Sequence, residues 1–544
     1  MTSLEVISLL LAAVLFLTWL ARAVKVTEPV VLLLGGVLLG LIPQLRGIHL
    51  PATVVLLIFL PPLLYVESLS ISLRQMVANL RVIVIMSVGL VLLTAVTVAS
   101  VTHSFGTAWP IAFVLGAVVA PTDATAVTTV ARGLPRRTLT TLKAESLVND
   151  GTALVIFALA VDVATSAQHF TWGHAVWRFV VSYAGGIAIG AVVGWVVMFL
   201  RRHVRDTQIE SGLSVFTPFA AYLPAEKAGV SGVLAVVVAG LTVSWASPLM
   251  IPAGSRVPTM AFWRVTTFLL NGALFVLVGL QLPNAVSTLT SLRIDRAVAL
   301  TLAVSATVIL TRLAYVITVP YAVRALDRRP RQRLRRRTLR ERIPAAWGGV
   351  RGAISLAAAL AVPVTTEQGA ALTDRDVIVF VTAGVITITL VLQGETMPWV
   401  IRRMHFPVET NAGAEEVLAR RRVDQKALAE LPGEAEKLGS SRELTRRVER
   451  ELTENVRNLR RGGFFATYRA EYSLRRALLD VKRVALVELR DTRVIDDTVL
   501  RRVQESLDVE ETRLELAKRA AHTSDDACRR AVAAGGREPS DESS

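Results

Sequence analysis

The stretch Ala144-Glu-Ser-Leu-Val-Asn-Asp-Gly-Thr152 leads directly into the apolar segment Ala153 to Val161. It places the carboxylates of Glu145 and Asp150, the hydroxyl of Ser146 and the side-chain amide of Asn149 at the mouth of a run that could enter a bilayer. Ionisable side chains in hydrocarbon are costly, and where they occur they mark ion or substrate pathways. The surroundings favour a membrane: the 544 residues are 52% hydrophobic, and the mean hydropathy is +0.50. Apolar runs near the ~20 residues that a bilayer requires recur as far as residue 400.

These runs lie near residues 4–23, 27–43, 51–68, 82–102, 108–130, 144–164, 175–200, 212–224, 228–247, 262–283, 297–323, 344–363 and 376–400. They predict an all-α polytopic membrane protein of about thirteen transmembrane helices. The weakest is 212–224, which is short and contains proline. The first run is read as a span: it has Glu5 inside it and no basic leader, although Ala21-Arg22-Ala23 weakly resembles a cleavage site.

The net charge of +16 would suit nucleic acid, but its distribution argues for membrane topology and no nucleic acid. Arg22 with Lys25, Arg74 with Arg81, Arg132 to Lys143, Arg201 to Arg205, Arg256 and the dense Arg324 to Arg342 run fall in every other connection. By the positive-inside rule the N-terminus is outside and the C-terminal tail cytoplasmic. Cys528 is the only cysteine, which excludes an intrachain disulfide, a thiolate metal cluster and a CxxC redox pair.

Three domains are expected: a transmembrane domain over 1–405, a helical cytosolic tail over 406–534 and a disordered end over 535–544. In the tail Leu474, Leu478, Val481 and Ala485 form a helical stripe, suited to packing on the membrane domain or on a second tail. A regulator of the tail has no motif behind it.

Two apolar runs contain helix breakers at matching places in the two halves: Ala120-Pro-Thr-Asp123 and Trp347-Gly-Gly-Val-Arg-Gly352. Interrupted backbone at bilayer depth is tolerated where protein or a water-filled cavity surrounds it. Such pairs point to a transporter's midplane site built from inverted repeats. Residues four apart share a helix face, so Ser146 pairs with Asp150, and Glu145 with Asn149 on a face rotated by about 100°. Arg351 stays charged at every working pH and needs a carboxylate, for which Glu145 is the natural choice. Asp123 and Asn149 are then available to satisfy the interrupted backbone. That leaves Asp150 without a fixed cationic partner, free to alternate between a proton and a metal ion. Oxygen donors from Asp150, Ser146 and Thr122 suit transported Na⁺ or Li⁺ rather than a soft metal.

The chain resembles bacterial sodium/proton antiporters of the cation:proton antiporter-1 family, which includes the animal sodium/hydrogen exchangers. The resemblance rests on Phe59-Leu-Pro-Pro-Leu-Leu64, Pro121-Thr-Asp123, Glu145 to Thr152, Ser231 to Gly240, Val276 to Leu282 and Gly348 to Ile354. It implies Asp150 as the ion- and proton-carrying residue, Ser146 and Thr122 as its companions, and a Glu145–Arg351 pair. It also implies two crossed broken helices, a core moving against a dimerisation domain in a homodimer, and electroneutral exchange from the Asn149-Asp150 pair. No cofactor is implied, and the location is the bacterial inner membrane. Many relatives place an acid directly after Leu-Pro-Pro-Leu-Leu-Phe; here Tyr65 and Val66 intervene before Glu67. Glu67 therefore faces either the cation funnel or another helix.

Two rival functions remain. A membrane-embedded hydrolase would need a metal or nucleophile, but His169 and His174 are five apart without HExxH, and Ser355 has no histidine nearby in sequence. A cation channel also lines its pore with acids, yet nothing here resembles a carbonyl filter.

Overall fold

Proline and small polar caps decide where the apolar runs begin and end as helices. Pro29 opens the helix that follows Thr27, and Pro110 lies in the first turn of the helix that follows Ala108; there a missing N–H costs nothing. Asp206 accepts from the N–H groups of Gln208 (2.8 Å) and Ile209 (2.9 Å), and Ser231 accepts from Leu234 N–H at 3.3 Å, both as N-caps.

The computed structural model describes residues 3–43, 52–71, 73–78, 80–123, 126–127, 134, 136–165, 171–204, 206–251, 253–326, 339–366, 368, 370, 372–404, 406, 411–460, 464–492 and 494–533. Two units are distinguished, Met1–Phe406 and Pro407–Ser544. The first contains α1 (Ser3–Val24), α2 (Glu28–Gly40), α3 (Ala52–Leu69), α4 (Leu73–Ala78), α5 (Leu80–Ser104), α6 (Trp109–Val119), α7 (Arg136–Thr165) and α8 (Trp172–His203). It continues with α9 (Thr207–Lys227), α10 (Gly232–Met250), α11 (Ala253–Ser287), α12 (Ile294–Leu326), α13 (Leu339–Trp347), α14 (Ala353–Leu360) and α15 (Arg375–Thr389). A π turn (Leu390–Gly394) then leads into α16 (Glu395–Met404).

Among the described residues seven helices are long and apolar enough to cross a membrane: those of α1, α5, α7, α8, α11, α12 and the continuous α15–α16. Stretches of α2, α3, α6 and α10 are apolar but shorter. The weak run at 212–224 lies within α9, a 21-residue helix that accommodates Pro218 and Pro224. Trp19, Trp195 and Trp245 are exposed on the outer surface, as suits a lipid-facing wall.

Helix contacts fall into two groups. In one, α5 packs on α6, α7 and α12, and α12 on α13 and α15; in the other, α11 packs on α2, and α10 on α8, α9 and α3. Lipid supplies little hydrophobic drive between helices, so small residues let backbones approach closely. A Cβ on Gly36 would lie 2.2 Å from the carbonyl oxygen of Val276, and one on Gly279 would lie 2.1 Å from that of Leu33. The α2–α11 contact therefore exists because these positions are bare.

The second unit contains α17 (Asn411–Lys437), α18 (Arg442–Arg460), α19 (Phe464–Asp491) and α20 (Asp497–Ala533). Leu479 and Leu486 of α19 bury against Leu507 and Leu514 of α20. Ion pairs Arg483–Asp508 (2.5 Å), Lys482–Glu510 (3.0 Å) and Arg476–Glu515 (3.7 Å) flank that antiparallel seam. The seven-residue spacing of Leu479 and Leu486 matches that of Leu507 and Leu514, so these leucines form the seam. Leu474, Leu478 and Val481 of the expected stripe are exposed within this unit. The segment 535–544 lies outside the described residues.

Candidate cation-binding site

Helix α6 stops at Val119, and residues 121–123 are non-helical; Pro121 cannot donate to a continuing ladder. Helix α13 stops at Trp347, and residues 348–352 are likewise non-helical before the eight-residue α14. The two interruptions meet. Asp123 N–H donates to the Val350 carbonyl at 2.8 Å, and Asp123 Oδ1 accepts from Ala126 N–H at 3.1 Å. Gly352 is required at the contact, since a Cβ there would lie 2.4 Å from Asp123 Oδ2.

Arg351 is buried at this junction. Its Nε donates to the Val119 carbonyl at 2.9 Å, its Nη1 to the Gly349 carbonyl, and its backbone N–H to Thr389 Oγ1 at 3.2 Å. A cation placed on the last carbonyls of α6 also complements that helix's dipole. Glu145 does not pair with it. Its carboxylate takes Arg312 of α12, Nη1 to Oε1 at 2.7 Å, while Arg312 Nη2 donates to the Ala345 carbonyl at 3.0 Å. The expected Glu145–Arg351 pair is thus corrected to Glu145–Arg312. The signal was present in the sequence: an arginine in the middle of the apolar run 297–323 needs an internal partner as much as Arg351 does. Gly349 lets the two arginines approach, because a Cβ there would lie 2.5 Å from Arg312 Cδ and 3.1 Å from Arg351 Nη1.

On α7, Ser146 Oγ donates to the Thr122 carbonyl at 2.5 Å. The Asn149 amide is satisfied when its oxygen accepts from Thr122 Oγ1 and its nitrogen donates to the carbonyls of Ser87 and Glu145, each at 3.2 Å. Asn149 therefore ties α7 to α5 and to the Thr122 side chain, and does not hold the interrupted backbone as expected. Asp123 does bond that backbone.

A small cavity of about 30 Å³ opens beside this junction, lined by Asp123, Ser146 and Asp150 together with Glu67 of α3 and Asn271 of α11. That volume exceeds the ~10–15 Å³ that one water needs. Asp150 is 4% exposed and shares the cavity with the carboxyl groups of Glu67 and Asp123. Glu67 shares its helix face with Leu63 and Leu64, which also line the cavity. Tyr65 points elsewhere, onto Trp263 with ring centroids 5.7 Å apart. Thr122 is buried behind Ser146 and is not among the lining residues.

Among the described residues no three His, Cys, Asp or Glu side chains converge closely enough to hold a metal ion. Glu67, Asp123 and Asp150 face one space without closing on one point. His169 and the His174 side chain lie outside the described residues. Asn271 was missed by sequence reasoning; its signal is an amide within the otherwise apolar stretch Phe268 to Leu280.

Comparison with known proteins bears on the same helices. The family profile described as "Sodium/hydrogen exchanger, transmembrane" matches residues 10–403. The chain belongs to the sodium/hydrogen exchanger family. This exchanger is 44% identical over 520 residues to an uncharacterised Na⁺/H⁺ exchanger of Mycobacterium tuberculosis, covering 94% of this chain and 96% of that protein. It is 30% identical over 385 residues to a sodium, potassium, lithium and rubidium/H⁺ antiporter of Bacillus subtilis, covering 68% of this chain and 57% of that one. The sodium/proton antiporter of Methanocaldococcus jannaschii, solved at pH 8, has a similar fold: TM-score 0.56 and 16% identity, covering 74% of this chain and 98% of the other. The protein is therefore a multi-pass membrane cation/proton antiporter, and its family is one of transporters rather than enzymes.

Proposed function

We propose that this chain exchanges a monovalent cation, Na⁺ first with Li⁺ or K⁺ as alternatives, for one proton by alternating access at Asp150. The observation that carries the reading is the cavity at the meeting of the two interrupted segments, where Asp150 stands with Ser146 and, among the described residues, no arginine lines the wall. A carboxylate buried without a fixed counter-charge must be neutralised by what it binds. Proton and cation therefore compete for it. Ser146 Oγ keeps lone pairs for a cation while donating to Thr122. Glu67 completes an oxygen-only donor set suited to hard ions, and the Thr122 carbonyl, outside the cavity lining, orients Ser146 for it.

In the proposed cycle both loaded forms cross and the bare carboxylate does not, which couples the fluxes without a cofactor. The helix group of α5–α7 with α12–α16 acts as the moving core, and the group of α1–α3 with α8–α11 as the dimerisation domain of a homodimer. We further propose thirteen spans in inverted repeats with two crossed broken helices, an external N-terminus and a cytoplasmic tail in the bacterial plasma membrane. The Bacillus subtilis relative's named ions support keeping Li⁺ and K⁺ as substrates.

The test is made in proteoliposomes with an imposed Na⁺ gradient and the voltage clamped at zero. Wild-type protein is expected to move protons against the gradient, and Asp150→Asn to abolish that flux while remaining folded. Coupled flux retained in Asp150→Asn would sink the mechanism; Na⁺ flux without proton movement would identify a channel.

A further inference from the structure

We infer that Asn271 is a cation-selecting ligand that completes the site of Asp150 from the other helix group. This rests on the transport reading above and deepens it.

Glycines hold α11 tightly against its neighbours on either side of this position: a Cβ at Gly272 would lie 2.5 Å from Val14 Cγ1, and one at Gly279 2.1 Å from the Leu33 carbonyl oxygen. Asn271, Leu274 and Phe275, at i, i+3 and i+4, lie together on the helix and line the cavity. Leu274 and Phe275 are apolar, so Asn271 is the polar group that α11 contributes there. Among the described residues its amide has no hydrogen-bond partner. The same cavity is lined by Asp123, Ser146 and Asp150, from the helix group to which α11 does not belong.

An amide suits this place for a chemical reason. Its oxygen is a hard, neutral donor for a dehydrated monovalent cation, and it takes up no proton in the working range. Asn271 thus adds to the cation's binding without adding a second site for protons. It biases the competition at Asp150 toward the cation, and its fixed place on α11 restricts which ionic radius can touch both helix groups together.

The experiment measures Na⁺, Li⁺ and K⁺ exchange in proteoliposomes for wild type, Asn271→Leu and Asn271→Ala over a pH series. Asn271→Leu keeps the volume and removes the oxygen. The apparent KM for the preferred ion is expected to rise about tenfold, the scale of losing one ligand-tuning contact at a metal site. The maximum rate should fall less than the affinity, and the ratio of KM values among the three ions should shift. A helix-packing defect would lower the rate without reordering the ions. Wild-type KM values and ion order in Asn271→Leu overturn the inference; if that variant does not reach the membrane, the same result in Asn271→Ala overturns it. Absence of coupled exchange in the wild type would instead sink the transport reading itself.

Discussion

Glu145 and Arg312 show why single residues could be read only halfway. That Glu145 needed an arginine followed from its place in an apolar run. Which arginine it takes did not, because Arg312 and Arg351 are 39 positions apart in the chain and only packing brings them to the two sides of Gly349. Removing one partner of a buried ion pair typically costs ~3–5 kcal/mol, because the other charge is left uncompensated. Glu145→Gln or Arg312→Met is therefore expected to lower the thermal midpoint of the detergent-solubilised protein by several degrees. The double variant should lose less than the two single losses together, as a double-mutant cycle would record. Asp150 contrasts with this pair: the acid and its face shared with Ser146 were legible from spacing alone. Glu67 was not, since the extra residues Tyr65 and Val66 left its direction open until α3 was seen to turn Tyr65 onto Trp263.

Interruptions and close contacts belong to whole elements. The breaks at 121–123 and 348–352 were legible because proline and glycine act locally on the helical ladder. Their meeting through Asp123 and Val350 is a long-range contact that no local pattern encodes. Gly352→Ala brings a Cβ to 2.4 Å from Asp123 Oδ2, so Asp123 must shift; exchange is expected to fall while the protein still reaches the membrane, measured as flux per inserted copy. On the other helix group, Gly279→Val overpacks the α2–α11 contact. Such substitutions cost ~1–3 kcal/mol or more where backbone is the obstacle, and thermal unfolding in detergent should register the loss. Within the tail, the seam uses the face of Leu479 and Leu486, with ion pairs to α20 flanking it, and leaves the neighbouring stripe of Leu474, Leu478 and Val481 exposed.

At the scale of the molecule, the cavity lies between two helix groups, and that arrangement sets how transport responds to conditions. Competition for Asp150 makes the apparent KM for Na⁺ rise as pH falls, approaching about tenfold per pH unit once the protonated form dominates. A pH-independent KM would argue for separate sites. The Arg312–Glu145 pair adds an electrical consequence. In the proposed cycle, Arg312 and Arg351 travel with Glu145 and Asp123, so their charges cancel within the moving group, and a proton or a monovalent cation cancels Asp150. The membrane field, worth ~2.3 kcal/mol per elementary charge per 100 mV, finds no net charge on either loaded carrier to pull. Turnover measured at 0 and at −100 mV is expected to be the same, leaving this transporter deaf to membrane voltage and answerable only to the two concentration gradients.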